Sequence, residues 1–203
     1  MAGYDDMSPS NHNGYAEYVD PRNNFAMSRG NAFMPEARGY HTVTVLLPDG
    51  RVLVGSGNVD GNDAIERTDF RYYYPDYMFK TRPQIVSAPA TLDIGGSAYI
   101  AVPYRQALGE VALVGLGLMT HSFDMNQRHV QVEASATHSS IRFVSGAWVL
   151  AGAAECDGDP ASCLDVYSIY APRAREIAPP GHYMLFILDN NRVPSTGAMV
   201  RVQ

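Results

Sequence analysis

Basic residues are scarce in this chain: 15 lysines and arginines face 21 acidic residues among 203, giving a formal charge of −6. With no basic stripe, nucleic acid is not the expected partner. Long apolar runs are also missing, and no stretch suffices to cross a bilayer as a helix, so no membrane partner is expected either. The opening MAGYDDMSPSN is polar and acidic and lacks the apolar core of a secretion signal; an exported parent would carry its signal outside this chain. Cysteine is limited to Cys156 and Cys163, in the segment CDGDPASC. Their spacing allows either a small disulfide loop in an oxidising compartment or two free thiols. A metal site there would need further ligands nearby. No segment has a helical period.

What is present is the composition of a folded, strand-rich protein. Hydrophobic residues make up 46% and charged residues 18%, outside the range of disordered chains. Glycine (18), proline (13) and tyrosine (13) are plentiful, a mixture that favours strands joined by tight turns. The length suits one large domain or two small ones.

The clearest local signal is YHTVTVLLPDGRVLVGSG, residues 40–57. Period-two runs flank Pro48-Asp49-Gly50, which predicts a β-hairpin. Upstream, GYAEYVDP reads as a short strand ending in a turn. Downstream, DFRYYYPDYMF is aromatic and β-prone, and Pro75 breaks it. Together these strands suit one small sheet or one propeller blade. Residues 81–90, TRPQIVSAPA, change the rhythm and mark a boundary. Beyond it, ATLDIGGSAYIAVPY, EVALVGLG, RHVQVEA, SIRFVSGAWVLAG, HYMLFILDN and AMVRVQ are short β-prone runs separated by turn residues, the spacing of a β-sandwich. The expected fold is all-β.

Several motifs occur in a consistent order. Arg38-Gly39-Tyr40-His41-Thr42 precedes Leu46-Leu47-Pro48-Asp49-Gly50-Arg51-Val52, and Tyr77-Met78-Phe79 precedes Arg82-Pro83. Thr120-His121-Ser122 is followed by Asn126-Gln127-Arg128. Near the end come Pro179-Pro180-Gly181-His182-Tyr183-Met184-Leu185-Phe186 and Val193-Pro194-Ser195. Over residues 14–203 this series resembles the C-terminal part of the galactose oxidase and glyoxal oxidase family of copper-radical oxidases.

The resemblance implies that residues 1–80 are a fragment of a kelch-type β-propeller, its last blade. Residues 81–203 are then an immunoglobulin-like early-set β-sandwich. It implies a secreted enzyme that oxidises a small alcohol, aldehyde or sugar with O₂ and releases H₂O₂. Copper is the expected cofactor. His41 and His121 match the family's imidazole ligands, and Tyr40 matches the axial tyrosine that also acts as general base. Substrate identity is not readable; the wording LLPDGRVLV and PPGHYMLF leans towards the glyoxal oxidase branch.

Tyr40 and His41 are adjacent, and neighbours on a regular strand point to opposite faces. Both can reach one metal only at a strand end or a twist, for which Gly39 offers an opening. The family's cross-linked cysteine and tyrosine match nothing here, so the radical cofactor region is expected elsewhere. The chain then reads as a fragment, a truncated product or one half of a split enzyme, dependent on a missing propeller half. Competing readings are a non-catalytic sandwich that binds carbohydrate or protein, and an inactive remnant.

Other residues suggest blander roles. His12, His129, His138 and His182 are expected at the surface or in packing. Asp157 and Asp159 lack the glycine and glutamate of a calcium loop and read as a polar loop. Trp148 is expected in the core, and Tyr72, Tyr73 and Tyr74 in strand packing. The segment from about residue 134 to 177 is longer than the family norm, and an insertion within it is expected as a surface loop, not a new site.

Overall fold

A computed structural model describes residues 3–4, 12–39, 41–58, 66–121, 123–135 and 138–203. The described residues are almost entirely β, in two compact units. The first comprises residues 1–47, 51–75 and 117–126; the second comprises 48–50, 76–116 and 127–203.

In the first unit, β1 (Gly3–Tyr4) pairs with β2 (His12–Asn13), and β3 (Tyr15–Asp20) pairs with β4 (Ala26–Phe33). The expected hairpin is present: β5 (Val43–Leu46) runs antiparallel to β6 (Val52–Gly55), and β7 (Phe70–Tyr73) completes a three-stranded sheet. The sequence offers no pattern for β4, because AMSRGNAF mixes small, polar and charged residues without alternation. Its ladder to β3 is also irregular, shifting register between Tyr15 and Glu17. In the tyrosine cluster Tyr73 packs on Tyr18, with ring centroids 6.4 Å apart, but its two neighbours depart from the expectation of packing. Tyr72 is 51% exposed and Tyr74 46% exposed, and the Arg51 guanidinium lies 4.2 Å from the Tyr72 ring centroid.

The second unit is the sandwich. One hydrogen-bonded path runs β15 (Ala147–Ala151), β14 (Ser139–Val144), β16 (Cys163–Tyr170), β13 (His129–Ala134), β10 (Glu110–Gly115), β17 (Gly181–Leu188), β18 (Ala198–Val202), β8 (Thr91–Leu92). The remaining strand, β9 (Ser97–Pro103), pairs over its whole length with Leu164–Tyr170 of β16. β13 changes partner midway: residues 129–132 pair with β10, then Glu133 and Ala134 pair with β16. That change folds the path into two layers. Alternate residues of each strand meet between them: Ile100 and Val102, Val111 and Leu113, Val130 and Val132, Leu185 and Ile187, Val200 and Val202. Each such side chain contributes about 1.5–3 kcal/mol by leaving water.

The segment 134–177, expected to hold a surface-loop insertion, is largely regular structure. It supplies the β14–β15 hairpin, the short helix α1 (Ala153–Gly158) and the central strand β16. β16 hides its strand character because Asp165 interrupts the apolar pattern, yet Asp165 is 1% exposed. Its carboxylate accepts from Ser140 Oγ at 2.7 Å and from the Arg105 amide at 2.8 Å, with His138 Nε2 at 3.4 Å. Asp157 belongs to α1 and not to a loop, and it pairs with Arg105 at 2.8 Å. Trp148 is 49% exposed, against the expectation of a core residue, because β15 is the outermost strand of its layer. Cys156 and Cys163 are joined in a buried disulfide that ties α1 to the start of β16.

Three of the sequence motifs meet at one clamp in this unit. Arg82 donates to the carbonyls of Asp49 at 2.6 Å and Pro194 at 2.7 Å, and to that of Ser195. Tyr77 Oη donates to the Gly50 carbonyl at 2.6 Å, and the Gly197 amide to that of Pro48 at 2.7 Å. Gly50 has φ +89°, and a Cβ there would stand 2.9 Å from Arg82 Nη2, so both conformation and space call for glycine.

Candidate metal centre

Arg38 sets the position of the loop that leads into β5. It is 1% exposed, and its guanidinium donates to the Ser56 carbonyl at 3.0 Å, the Asp69 carbonyl at 3.2 Å and Asp69 Oδ2 at 2.5 Å. One cation thereby ties the loop to the end of β6 and the start of β7. Desolvation raises the Asp69 carboxyl, but the hydrogen bond and charge of Arg38, its own backbone amide and Arg71 outweigh this. Its pKa ends below the ordinary value.

The loop then turns sharply. The Thr42 amide and Oγ1 both donate to the Gly39 carbonyl, at 3.2 Å and 2.6 Å. Between them His41 takes φ +64°, a left-handed conformation that is uncommon outside glycine. His41 precedes the first residue of β5, so it is free of the alternation that a regular strand would impose. Tyr40, its neighbour in the sequence motif, lies outside the described residues.

The second imidazole comes from a finger that follows β10 and belongs to the first unit. β11 (Met119–Thr120) and β12 (Phe123–Asp124) form a minimal hairpin with His121 at its turn, again at positive φ (+50°). Asp124 Oδ1 accepts the amides of Leu118 at 2.9 Å and Asn126 at 3.0 Å, closing the base of the finger. β11 packs against β5, and at Gly117 a Cβ would lie 3.2 Å from Val45 Cγ1. The finger therefore rests directly on the strand that His41 precedes.

The two histidines, 80 positions apart, face each other with their Nε2 atoms 3.4 Å apart. The rings meet edge to face, with centroids 4.7 Å apart and an interplanar angle of 84°. Thr120 Oγ1 lies 2.7 Å from His121 Nδ1. His41 also lines a polar cavity of ≈ 260 Å³ with Ser56, Asn58, Glu66, Arg67 and Thr68. Two nitrogens at this separation can both reach one cation at the usual bond length of about 2 Å. Imidazole is a favoured donor for copper, so the pair fits two ligands of a copper ion. Among the described residues no group of three or more His, Cys, Asp or Glu gathers as a metal site.

The other histidines are elsewhere. His129 lies 3.4 Å from Glu110, and His138 stacks on Tyr167 with centroids 4.5 Å apart. His182 is exposed on β17, and of His12 only the backbone is described. Sequence reasoning missed Asp69 and Asp124 and gave no role to Thr120, which, like Arg38, entered only as part of its motif.

Comparison with known proteins adds the following. The model of the galactose oxidase-like, early set domain family matches residues 82–202. A galactose oxidase from Gibberella zeae is 24% identical over 192 residues, covering 91% of this chain and 24% of that protein. An aldehyde oxidase GLOX from Vitis pseudoreticulata is 31% identical over 180 residues, covering 81% of this chain and 30% of that protein. This chain thus spans only 24–30% of the length of these curated relatives. Among solved structures, a fungal alcohol oxidase of the AA5 family in complex with copper superposes with a TM-score of 0.70 at 19% identity. That match covers 97% of this chain and 37% of the other, and at this identity it speaks for the fold.

Proposed function

The chain belongs to the galactose oxidase-like early set domain family, and on that premise we propose that it is the C-terminal portion of a copper-radical oxidase. In this reading the whole protein converts a primary alcohol or an aldehyde with O₂, and His41, His121 and Tyr40 of this chain hold the copper. The observation that carries the reading is the convergence of His41 Nε2 and His121 Nε2 to 3.4 Å. The relatives carry the names galactose oxidase and aldehyde oxidase, which favours a small alcohol or aldehyde substrate.

Copper, when bound, supplies a one-electron Cu(II)/Cu(I) couple. The histidines contribute neutral nitrogen donors. Tyr40 is the proposed acceptor of the substrate hydroxyl proton, a role a phenolate can fill when a nearby cation lowers its pKa. For an alcohol, one O–H and one C–H bond break, a carbonyl forms, and two electrons and two protons convert O₂ to H₂O₂. Both cysteines of this chain are joined to each other. In this reading the cysteine that forms the thioether to the radical tyrosine comes from outside this chain. The disulfide also favours an extracellular location.

The test is copper stoichiometry with a Cu(II) EPR spectrum, beside a His41→Ala/His121→Ala double variant. One copper per chain with nitrogen hyperfine coupling, lost in the variant, supports the reading. Equal copper uptake by both would overturn this ligand assignment.

A further inference from the structure

We propose that Thr120 is a positioning residue: its Oγ1 accepts the Nδ1–H of His121 and so keeps the Nε2 lone pair turned towards His41. The assignment deepens the copper reading above and rests on it for its functional meaning. A neutral imidazole carries one N–H, and only the unprotonated nitrogen can bind a cation. Which nitrogen that is depends on the partner of the other, and here the partner on the Nδ1 side is Thr120, at 2.7 Å.

Three observations support that direction. First, the Nε2 atoms of His41 and His121 face each other at 3.4 Å; protons on both would collide, and a proton on His121 Nδ1 leaves its Nε2 as the acceptor there. Second, Thr120 lies on β11 immediately before the turn, and its β-branched side chain is stiff about χ1. Its oxygen is therefore aimed and not merely nearby. Third, Thr120 is exposed, so its own hydroxyl proton can go to water while the oxygen accepts from the ring. The two left-handed backbones lie beside hydrogen bonds that do not use the Thr120 side chain. The tautomer is what remains for Thr120 to decide.

The experiment is nitrogen-15 NMR of the imidazoles in the metal-free chain, at a pH well above the ordinary histidine value of about 6.5, for the wild type, Thr120→Val and Thr120→Ser. The wild type should carry its His121 proton on Nδ1. Thr120→Val, similar in shape but without the hydroxyl, should shift the population towards Nε2–H, and Thr120→Ser should restore it. Titration with Cu(II) should then find affinity about 10–100-fold weaker in Thr120→Val and near wild type in Thr120→Ser. A wild-type spectrum with the proton on Nε2 overturns the proposal without recourse to any variant. An unchanged tautomer and unchanged affinity in Thr120→Val overturn it equally. A chain with the proton on Nδ1, lost in the valine variant, that takes up no copper supports the role of Thr120 and overturns the copper reading.

Discussion

The two units are held together by different forces. In the second, apolar side chains from both layers form one continuous core, and Ile100, Leu113, Leu185 and Ile187 are inaccessible to solvent. In the first, the buried apolar side chains among the described residues are Ala37, Val54 and Pro75, while Arg38, Thr42 and Asn58 are buried polar ones. Val19, Phe25, Met27, Phe33 and Phe70 are exposed. The unit that carries the imidazole pair thus depends on a few directed hydrogen bonds, and the unit without chemistry has the bulk of the hydrophobic stabilisation. Directed bonds suit a site that must fix angles; burial suits a scaffold that must only persist.

The contrast can be broken most forcefully from the sandwich side. Leu185→Ala should cost about 2–5 kcal/mol, read as a lower urea midpoint. The His41→Ala/His121→Ala variant should leave that midpoint within about 0.5 kcal/mol of wild type. Replacing Cys156 and Cys163 together with serine should cost about 2–3 kcal/mol, because the loop they close is short. The same change should loosen the Asp157–Arg105 pair, visible in the Arg105 side-chain resonances.

A smaller effect, confined to the first unit, is expected from Arg38→Met: about 1–3 kcal/mol locally, seen as faster amide exchange in β6 and β7 while the sandwich stays protected. The smallest concerns pH. Asp69 has a lowered pKa in the folded chain, so its contribution is present above the unfolded carboxyl value of about 3.9 and is lost as pH falls through the folded value below it. The amide shifts of Ser56 and Asp69 should report that acid step, and Asp69→Asn should remove it. An acid step of equal size in the asparagine variant would assign it to another carboxylate.

Much of the fold was legible because it follows simple periodicity. The Pro48-Asp49-Gly50 turn between alternating runs yields the β5–β6 hairpin, and the later apolar runs become β9, β10, β13, β17 and β18. What stayed hidden has physical causes. β16 is a central strand with a buried aspartate, and its apolar pattern fails where Asp165 meets partners from distant segments. Trp148 has core chemistry but lies on an edge strand, and edge position is a property of topology, not of composition. The approach of His41 to His121 was reachable only through resemblance. Nothing local announces that two non-glycine residues adopt left-handed backbones. The roles of Thr120 and Asp124 were illegible, although Thr120 stands in a sequence motif, because a side chain that orients another has no spacing rule.

The division of the chain between the units has a consequence for how such a protein can be taken apart. From residue 1 to 203 the chain passes from one unit to the other five times, because the 48–50 turn belongs with the sandwich and the 117–126 finger with the first unit. No single cut separates them cleanly. A break near residue 80 would strip the sandwich of the turn that Arg82 clamps and would leave the first unit without His121. A gene rearrangement with one crossover in this region meets the same obstacle: it can transfer His41 or His121 but not both. The imidazole pair can be inherited or engineered only as a block that spans both units.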